Sequence, residues 1–246
     1  MERIDDIGFG GLKLIQDTTE FCYGVDAVLL ADFASKVCKP QPLIIADMGT
    51  GTGVIPLMLS HMTTATKIIG IEIQERSFEL ANRNVKLNNL DEKIEIICAD
   101  VADAQLLKDK IETFDLVVSN PPYVKKNGGI INDSNAKMIA RHETTADLDD
   151  FVRTAANLLK PTGNFCMVHR PDRIVDICEL CRKHRLEPKN MRFVSPNKNK
   201  AANILLVHCV KYGNANLNLF DPLYIYDEVG EYTHEIDVIY GRAKMD

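Results

Sequence analysis

Between residues 43 and 169 the chain alternates short apolar runs with stretches of helical periodicity, and that alternation most narrows what it can fold into. Leu43–Met48, Lys67–Ile73, Ile94–Ala99, Phe114–Ser119 and Asn164–His169 are nearly continuous in apolar residues. Strands covered on both faces read that way, whereas a strand with one wet face alternates polar and apolar positions. The clearest intervening helix runs from about Asp147 to Lys160. Its Leu148, Phe151, Val152, Ala155, Leu158 and Leu159 fall at helical spacing, and Pro161 with Gly163 supplies a stop.

Strands that alternate with helices imply parallel pairing with right-handed crossovers. Met191–Val194 and Ile204–Tyr212 have no helical pattern between them and are expected to pair antiparallel at one edge. The predicted fold class is therefore α/β: a Rossmann-like, doubly wound, mostly parallel seven-stranded sheet with one antiparallel edge strand. With 246 residues, 46% hydrophobic and 26% charged, one large domain can be built. Residues 1–40 are read as a helical lead-in, because Val25, Val28, Leu29, Phe33 and Val37 recur near the helical period. Residues 41–212 are read as the domain proper, and 213–246 as a tail packed on it.

The strongest local signal follows the first strand: Asp47-Met48-Gly49-Thr50-Gly51-Thr52-Gly53. Alternate glycines permit a tight turn and close backbone approach at the strand ends where such sheets bind ligands. The dinucleotide fingerprint would need glycine where Val54 stands, and no Gly-Lys-Ser/Thr follows as a Walker loop would need. Glu72 ends the second strand, where a carboxylate can accept from two ribose hydroxyls. Asp100 follows the third, positioned to accept from an exocyclic amine.

The fourth strand ends in Asn120-Pro121-Pro122-Tyr123. Two prolines remove two backbone donors and stiffen the turn, so the Asn120 side chain and Pro121 carbonyl are fixed acceptors. An amino group on a planar ring or carbonyl fits them. Two acceptors on its N–H bonds favour the pyramidal form and aim its lone pair, which is catalysis by positioning without a tuned general base. Tyr123 can stack on a planar substrate, splayed out if it is a base in nucleic acid.

The glycine loop with Glu72 and Asp100 resembles class I S-adenosylmethionine-dependent methyltransferases. The resemblance implies that Gly49, Gly51 and Gly53 pass the methionine part of S-adenosyl-L-methionine, with Asp47 near its amino group. It implies that Glu72 holds the ribose and that Asp100, with the Val101 backbone, reads the adenine. No metal is implied, because a sulfonium is already an activated leaving group. Asn120–Tyr123 resembles the motif of amino-methyltransferases acting on adenine N6, cytosine N4, guanine N2 or a glutamine amide.

Flanking segments narrow the choice. The lead-in from Gln16 to Phe33, with Ala140–Glu143, Leu158–Pro161, His169–Arg173 and Leu223–Tyr226, resembles the bacterial tRNA1(Val) adenine-N6 methyltransferase family. The implied substrate is the adenosine beside the anticodon of a valine tRNA. Methylation of rRNA, DNA or a protein glutamine is the alternative enzyme, and a non-catalytic nucleotide- or RNA-binding protein the alternative of another class. Release-factor glutamine methyltransferases are expected to carry a longer helical N-terminal domain.

The net charge of -6 hides an asymmetry. Residues 1–123 carry -8, 124–212 carry +7 and 213–246 carry -5. The basic excess begins just after the tetrapeptide, so Lys125, Lys126, Lys137, Arg141, Arg170, Arg173, Lys198 and Lys200 are candidate phosphate contacts for RNA. Cys178 and Cys181 form Cys-x-x-Cys, but with Ile174 and Ile177 they share one helical face, and no second pair completes a zinc site. His142 stands beside Arg141 and Glu143, where a loop-anchoring bond competes with an RNA contact. Seven scattered cysteines suit reduced thiols. With no membrane span and no signal peptide read at the start, a cytoplasmic protein is expected, its oligomeric state open with a monomer favoured.

Overall fold

The computed structural model describes residues 1–19, 22–38, 41, 43–103, 108–122 and 146–244. Seven strands form its centre: β3 (Leu43–Met48), β4 (Ala65–Glu72), β5 (Ile94–Cys98), β6 (Phe114–Ser119), β7 (Leu159–His169), β8 (Leu186–Ser195) and β9 (Ile204–Lys211). Their spatial order is β8-β9-β7-β6-β3-β4-β5. The five strands from β5 to β7 pair in parallel, while β9 runs antiparallel to both β7 and β8. The expected antiparallel pair is there, but its reversed member is the inner strand, inserted between β7 and β8. Two-residue β10 (Asn218–Leu219) and β11 (Leu223–Tyr224) add parallel to β8, making this sheet nine-stranded among the described residues.

Alternate residues of each strand feed opposite cores. Ile45, Ile68, Leu116, Val118, Cys166 and Val168 pack on one face with α1 (Val25–Val37), α2 (Val54–Met62), α3 (Glu75–Leu87) and α6 (His234–Ile239). Ala46, Ile69, Val117, Phe165 and Met167 pack on the other with α4 (Leu148–Leu158) and α5 (Ile174–Lys183). Both faces being dry explains the unbroken apolar runs. Helix α4 starts at a capping box, in which Asp147 accepts from the Asp150 N–H and Asp150 from the Asp147 N–H.

Residues 1–40 are not helical throughout. Ahead of α1 lies a hairpin of β1 (Glu2–Asp6) and β2 (Lys13–Asp17), which alternates too weakly to announce itself. The tail contributes Leu223, Ile225, Ile236 and Ile239 to the first core. On α5, Cys181 is fully buried beside Cys209 while Cys178 is only half-buried, so one thiol of the pair faces the core squarely.

Asn84 of α3 is fully buried and joins hairpin, helix and glycine loop. Its oxygen accepts from the Ile15 N–H at 2.6 Å, and its nitrogen donates to the Ile15 carbonyl at 3.1 Å and the Thr52 carbonyl at 2.9 Å. Asn84→Ala leaves these backbone groups unsatisfied in the interior. A loss of about 2–4 kcal/mol is expected, read as a lowered urea midpoint at constant slope.

Candidate active site

A cavity of about 220 Å³ opens at the C-terminal ends of β3, β4, β5 and β6. The strand order reverses between β3 and β6, the crevice where open α/β sheets bind ligands. Gly49, Gly51, Glu72, Asp100, Val101, Asn120, Pro121 and Pro122 all line it. Residues spread over more than 70 positions are thus brought to one wall-to-wall site.

The three loop glycines adopt positive φ, at 74° for Gly49, 56° for Gly51 and 83° for Gly53, the last forming the start of α2. Gly51 combines that left-handed backbone with a place in the cavity wall, and a Cβ built on it meets nothing within 4 Å. Any other residue there is strained and fills ligand space. The loop is tied to β4: Gly49 and Thr50 N–H donate to the Ile71 carbonyl, and the Gly51 N–H donates to Glu72 Oε2 at 2.8 Å. Glu72 Oε1 accepts from the Gln74 N–H at 2.9 Å. Each carboxylate oxygen has a second lone pair, so Glu72 keeps capacity for two further donors.

Asp100 accepts from the Ala102 N–H at 2.8 Å. The Val101 carbonyl accepts from the Thr154 hydroxyl at 2.7 Å, which leaves the Val101 N–H as the group it can offer a ligand. The Ser119 hydroxyl donates to the Met48 carbonyl at 2.9 Å and clamps the end of β6 against β3. Asn120 follows directly, its Nδ2 donating to Asp26 Oδ2 at 3.1 Å.

Asp47 and Gly53 do not line the cavity. Asp47 stands one layer behind the loop, fully buried, and neither of its oxygens has a hydrogen-bond partner. Burial pushes its carboxyl up to about 7, a rise that the nearby Thr50 hydroxyl partly opposes and the Glu72 charge adds to.

Tyr123, Lys125, Lys126, Lys137, Arg141 and His142 lie outside the described residues. Arg170, Arg173, Lys198 and Lys200 follow β7 or β8 and so sit at the same end of the sheet as Asn120. Lys198 and Lys200 are exposed, Arg170 lies 3.7 Å from Asp172, and Arg173 is largely buried against Asp176. Arg173 is therefore the least available of the four. His169 is buried and pushed down to about 4 by that burial. Among the described residues lining the cavity there is no histidine, lysine or cysteine, and among the described residues no three or more His, Cys, Asp or Glu are grouped to hold a metal. No helix among them is long and apolar enough to cross a membrane.

The sequence motifs missed several lining residues: Asp17, Tyr23 and Asp26 from the lead-in, Arg76 of α3 and Phe151 of α4. Asp17 accepts from the Thr19 N–H at 3.0 Å and from the Met1 ammonium at 2.9 Å, contacts that hold its carboxyl well below the usual range, and it also pairs with Arg76. Nothing in the local sequence around Asp17 marks that role. Asp26 could have been suspected as an acidic residue in the first turn of an apolar helix.

Residues 25–176 match the family model described as methyltransferase small domain. A Porphyromonas gingivalis (strain W83) protein described as a tRNA1(Val) (adenine(37)-N6)-methyltransferase is 33% identical over 166 residues, which cover 66% of this chain and 64% of that protein. The chain thus matches slightly less than two thirds of that relative's length. A Parabacteroides distasonis protein of the same description is 31% identical over 174 residues, 70% of each chain. A solved structure described as a predicted O-methyltransferase, from Agrobacterium tumefaciens, aligns with a TM-score of 0.70 at 25% identity, covering 89% of this chain and 98% of its own.

The buried Asp47 carboxyl carries a pH signature. Its folded-state value lies above its ordinary 3.8, so the folded chain holds the proton more tightly. The corresponding stability is complete below about pH 4 and is lost as pH rises through about 7. Asp47→Asn stays neutral throughout. Relative to the parent, the variant should gain on the order of 2 kcal/mol between pH 5 and pH 8; urea unfolding at both pH values measures the difference.

Proposed function

We propose that this chain, which belongs to the methyltransferase small domain family, moves a methyl group from S-adenosyl-L-methionine to the exocyclic N6 of an adenosine in tRNA. The relatives' descriptions name adenosine 37 of tRNA1(Val), and that nucleoside is the proposed target, met in the cytoplasm. The observation that carries the reading is Asn120, Pro121 and Pro122 on the same cavity as Gly51, Glu72 and Asp100.

The residues fit the cofactor. The open space over Gly51 suits the methionine chain, Glu72 has acceptor capacity for a ribose diol, and Asp100 with the Val101 N–H matches an adenine edge. Asp47 is buried without a partner behind the loop, where a cation bound in front of it would favour the ionised form of its carboxyl. Bound there, S-adenosylmethionine supplies a methyl carbon on an activated leaving group, its C–S bond breaking as the C–N bond forms. Asn120 Oδ1 and the Pro121 carbonyl accept hydrogen bonds from the two N6 N–H groups, hold the amine pyramidal and orient its lone pair along the transfer axis; once the C–N bond has formed, one N6 proton is lost to water. Two acceptors suit an NH2 group better than a hydroxyl, which offers one donor and asks for a general base. Tyr123 stacks on the splayed base in this reading.

The test is incubation with methyl-labelled cofactor and unmodified tRNA, followed by nucleoside analysis. Label in N6-methyladenosine at position 37 is expected; label in another nucleoside, or only in protein, overturns the substrate. Asn120→Ala should lower kcat by about 10²–10³ with little change in cofactor affinity. Gly51→Ala should cost about 1–2 kcal/mol of stability and weaken cofactor binding about tenfold or more, measured by calorimetry. Lys125, Lys126, Lys137, Arg141, Arg170, Lys198 and Lys200 are proposed to track RNA phosphates. Reversing both Lys198 and Lys200 should flatten the slope of log affinity against log salt by about one to two.

A further inference from the structure

An amide side chain has an accepting end and a donating end of nearly the same shape, and the proposed chemistry works with only one of them. If the Asn120 nitrogen faced the target amine, two donors would meet and the lone pair would be drawn out of line. Something must choose the orientation. Asn120 Nδ2 donates to Asp26 Oδ2 at 3.1 Å, across 94 positions of sequence. A carboxylate only accepts, so the nitrogen must be the end that faces it. The planar amide then turns Oδ1 to the other side.

Asp26 is itself set in place. It lies in the first turn of α1, where the helix dipole favours a negative group, and its Oδ1 accepts from the Ala27 N–H at 3.0 Å. Gly24, at the N-cap of α1, clears the way: a Cβ on it would meet Asp26 Oδ1 at 2.9 Å. Asp26, Gly24 and Asn120 all line the same cavity. The backbone just before Asn120 is fixed by the Ser119 clamp on Met48, so residue 120 is placed by β3 and its amide oriented from α1, elements that meet only in the folded chain.

We propose that Asp26 is a positioning residue that fixes the Asn120 amide with its oxygen toward the acceptor amine, and that Gly24 is kept small to let it do so. This rests on the reading of Asn120 as an acceptor for the target amine. Asp26 acts through Asn120, so the outcome depends on the chemical character of the pair.

The experiment compares Asp26→Asn, Asn120→Asp, the exchanged pair Asp26→Asn/Asn120→Asp and Gly24→Ala, with Asn120→Ala as reference, by single-turnover rates across pH 5.5–9 on tRNA. Calorimetric cofactor affinity and thermal midpoints report folding. Asp26→Asn and Gly24→Ala should each lower the rate about tenfold to a hundredfold, with cofactor and tRNA affinities within about threefold. Asn120→Asp sets two carboxylates against each other, so its rate should fall with rising pH as their shared proton is lost. The exchanged pair restores one donor facing one acceptor; it should abolish that pH dependence and exceed Asn120→Asp at pH 8 by about tenfold or more. The Asn120→Asp profile is read with Asp26 intact, so it does not depend on how well Asp26→Asn folds. A wild-type rate in Asp26→Asn, or an exchanged pair no better than Asn120→Asp, overturns the proposal. A wild-type rate in Asn120→Ala instead removes the reading of Asn120, a separate failure.

Discussion

The hydrogen bond from the Gly51 N–H to the Glu72 carboxylate fixes the loop on β3 to the end of β4, and the shape of the cavity depends on it. The neighbouring donors are used in the same direction, with Gly49 and Thr50 both reaching the Ile71 carbonyl and Gly53 closing on Thr50. A glycine loop that cradles phosphate turns its N–H groups toward the ligand. Here those donors are spent on the protein. What the loop offers a ligand is space and close backbone approach, while the charged groups lining the cavity are four carboxylates, Asp17, Asp26, Glu72 and Asp100, and one cation, Arg76, which pairs with Asp17. Such a wall suits a cation carrying a diol and an amine.

That electrostatic division runs through the chain. The half that builds the loop and the first three strand ends carries -8, the stretch from 124 to 212 carries +7, and of the latter the described Arg170, Lys198 and Lys200 follow β7 or β8. Both sets meet at one end of the sheet because parallel strands deliver all their C-terminal ends to the same side, and β8 runs with them. In the proposed function, an RNA polyanion approaching those cations is repelled by the acidic cavity. A splayed base, whose charge stays behind on its phosphate, is not.

Much of this was legible in the sequence, where local chemistry is tied to period. The bounds of β3 and β6 coincide with the predicted runs, and the glycine loop, Glu72, Asp100 and the Asn-Pro-Pro turn share one cavity, because strand ends are marked by the residues that follow them. Interactions distant in sequence were not legible. The insertion of β9 between β7 and β8 is a choice of edge that pairing patterns do not encode. The β1–β2 hairpin is held by Asn84 and Asn88, 75 positions away in the Lys13 contact, and neither asparagine differs from a surface residue in the sequence. The resemblance implies Asp47 near the cofactor's amino group, and what the local sequence does not reveal is that its strand position buries it, outside the cavity lining.

A neutral acceptor at position 120 has a physical rationale that also explains why it needs a neighbour. In the proposed transfer, positive charge passes from sulfur toward nitrogen, so it lies near position 120 before, during and after the step. A full negative charge there would hold the bound cation and the transition state alike, which lowers KM without raising kcat. An amide oxygen aligned on the N–H bonds acts through direction, and it gains most when the amine becomes pyramidal. Direction is what an amide cannot guarantee alone, since reversing it costs no volume. The charge that would be ill-placed at 120 is instead set behind the Asn120 side chain, at Asp26 in the first turn of α1, where it orients the acceptor without competing for the substrate.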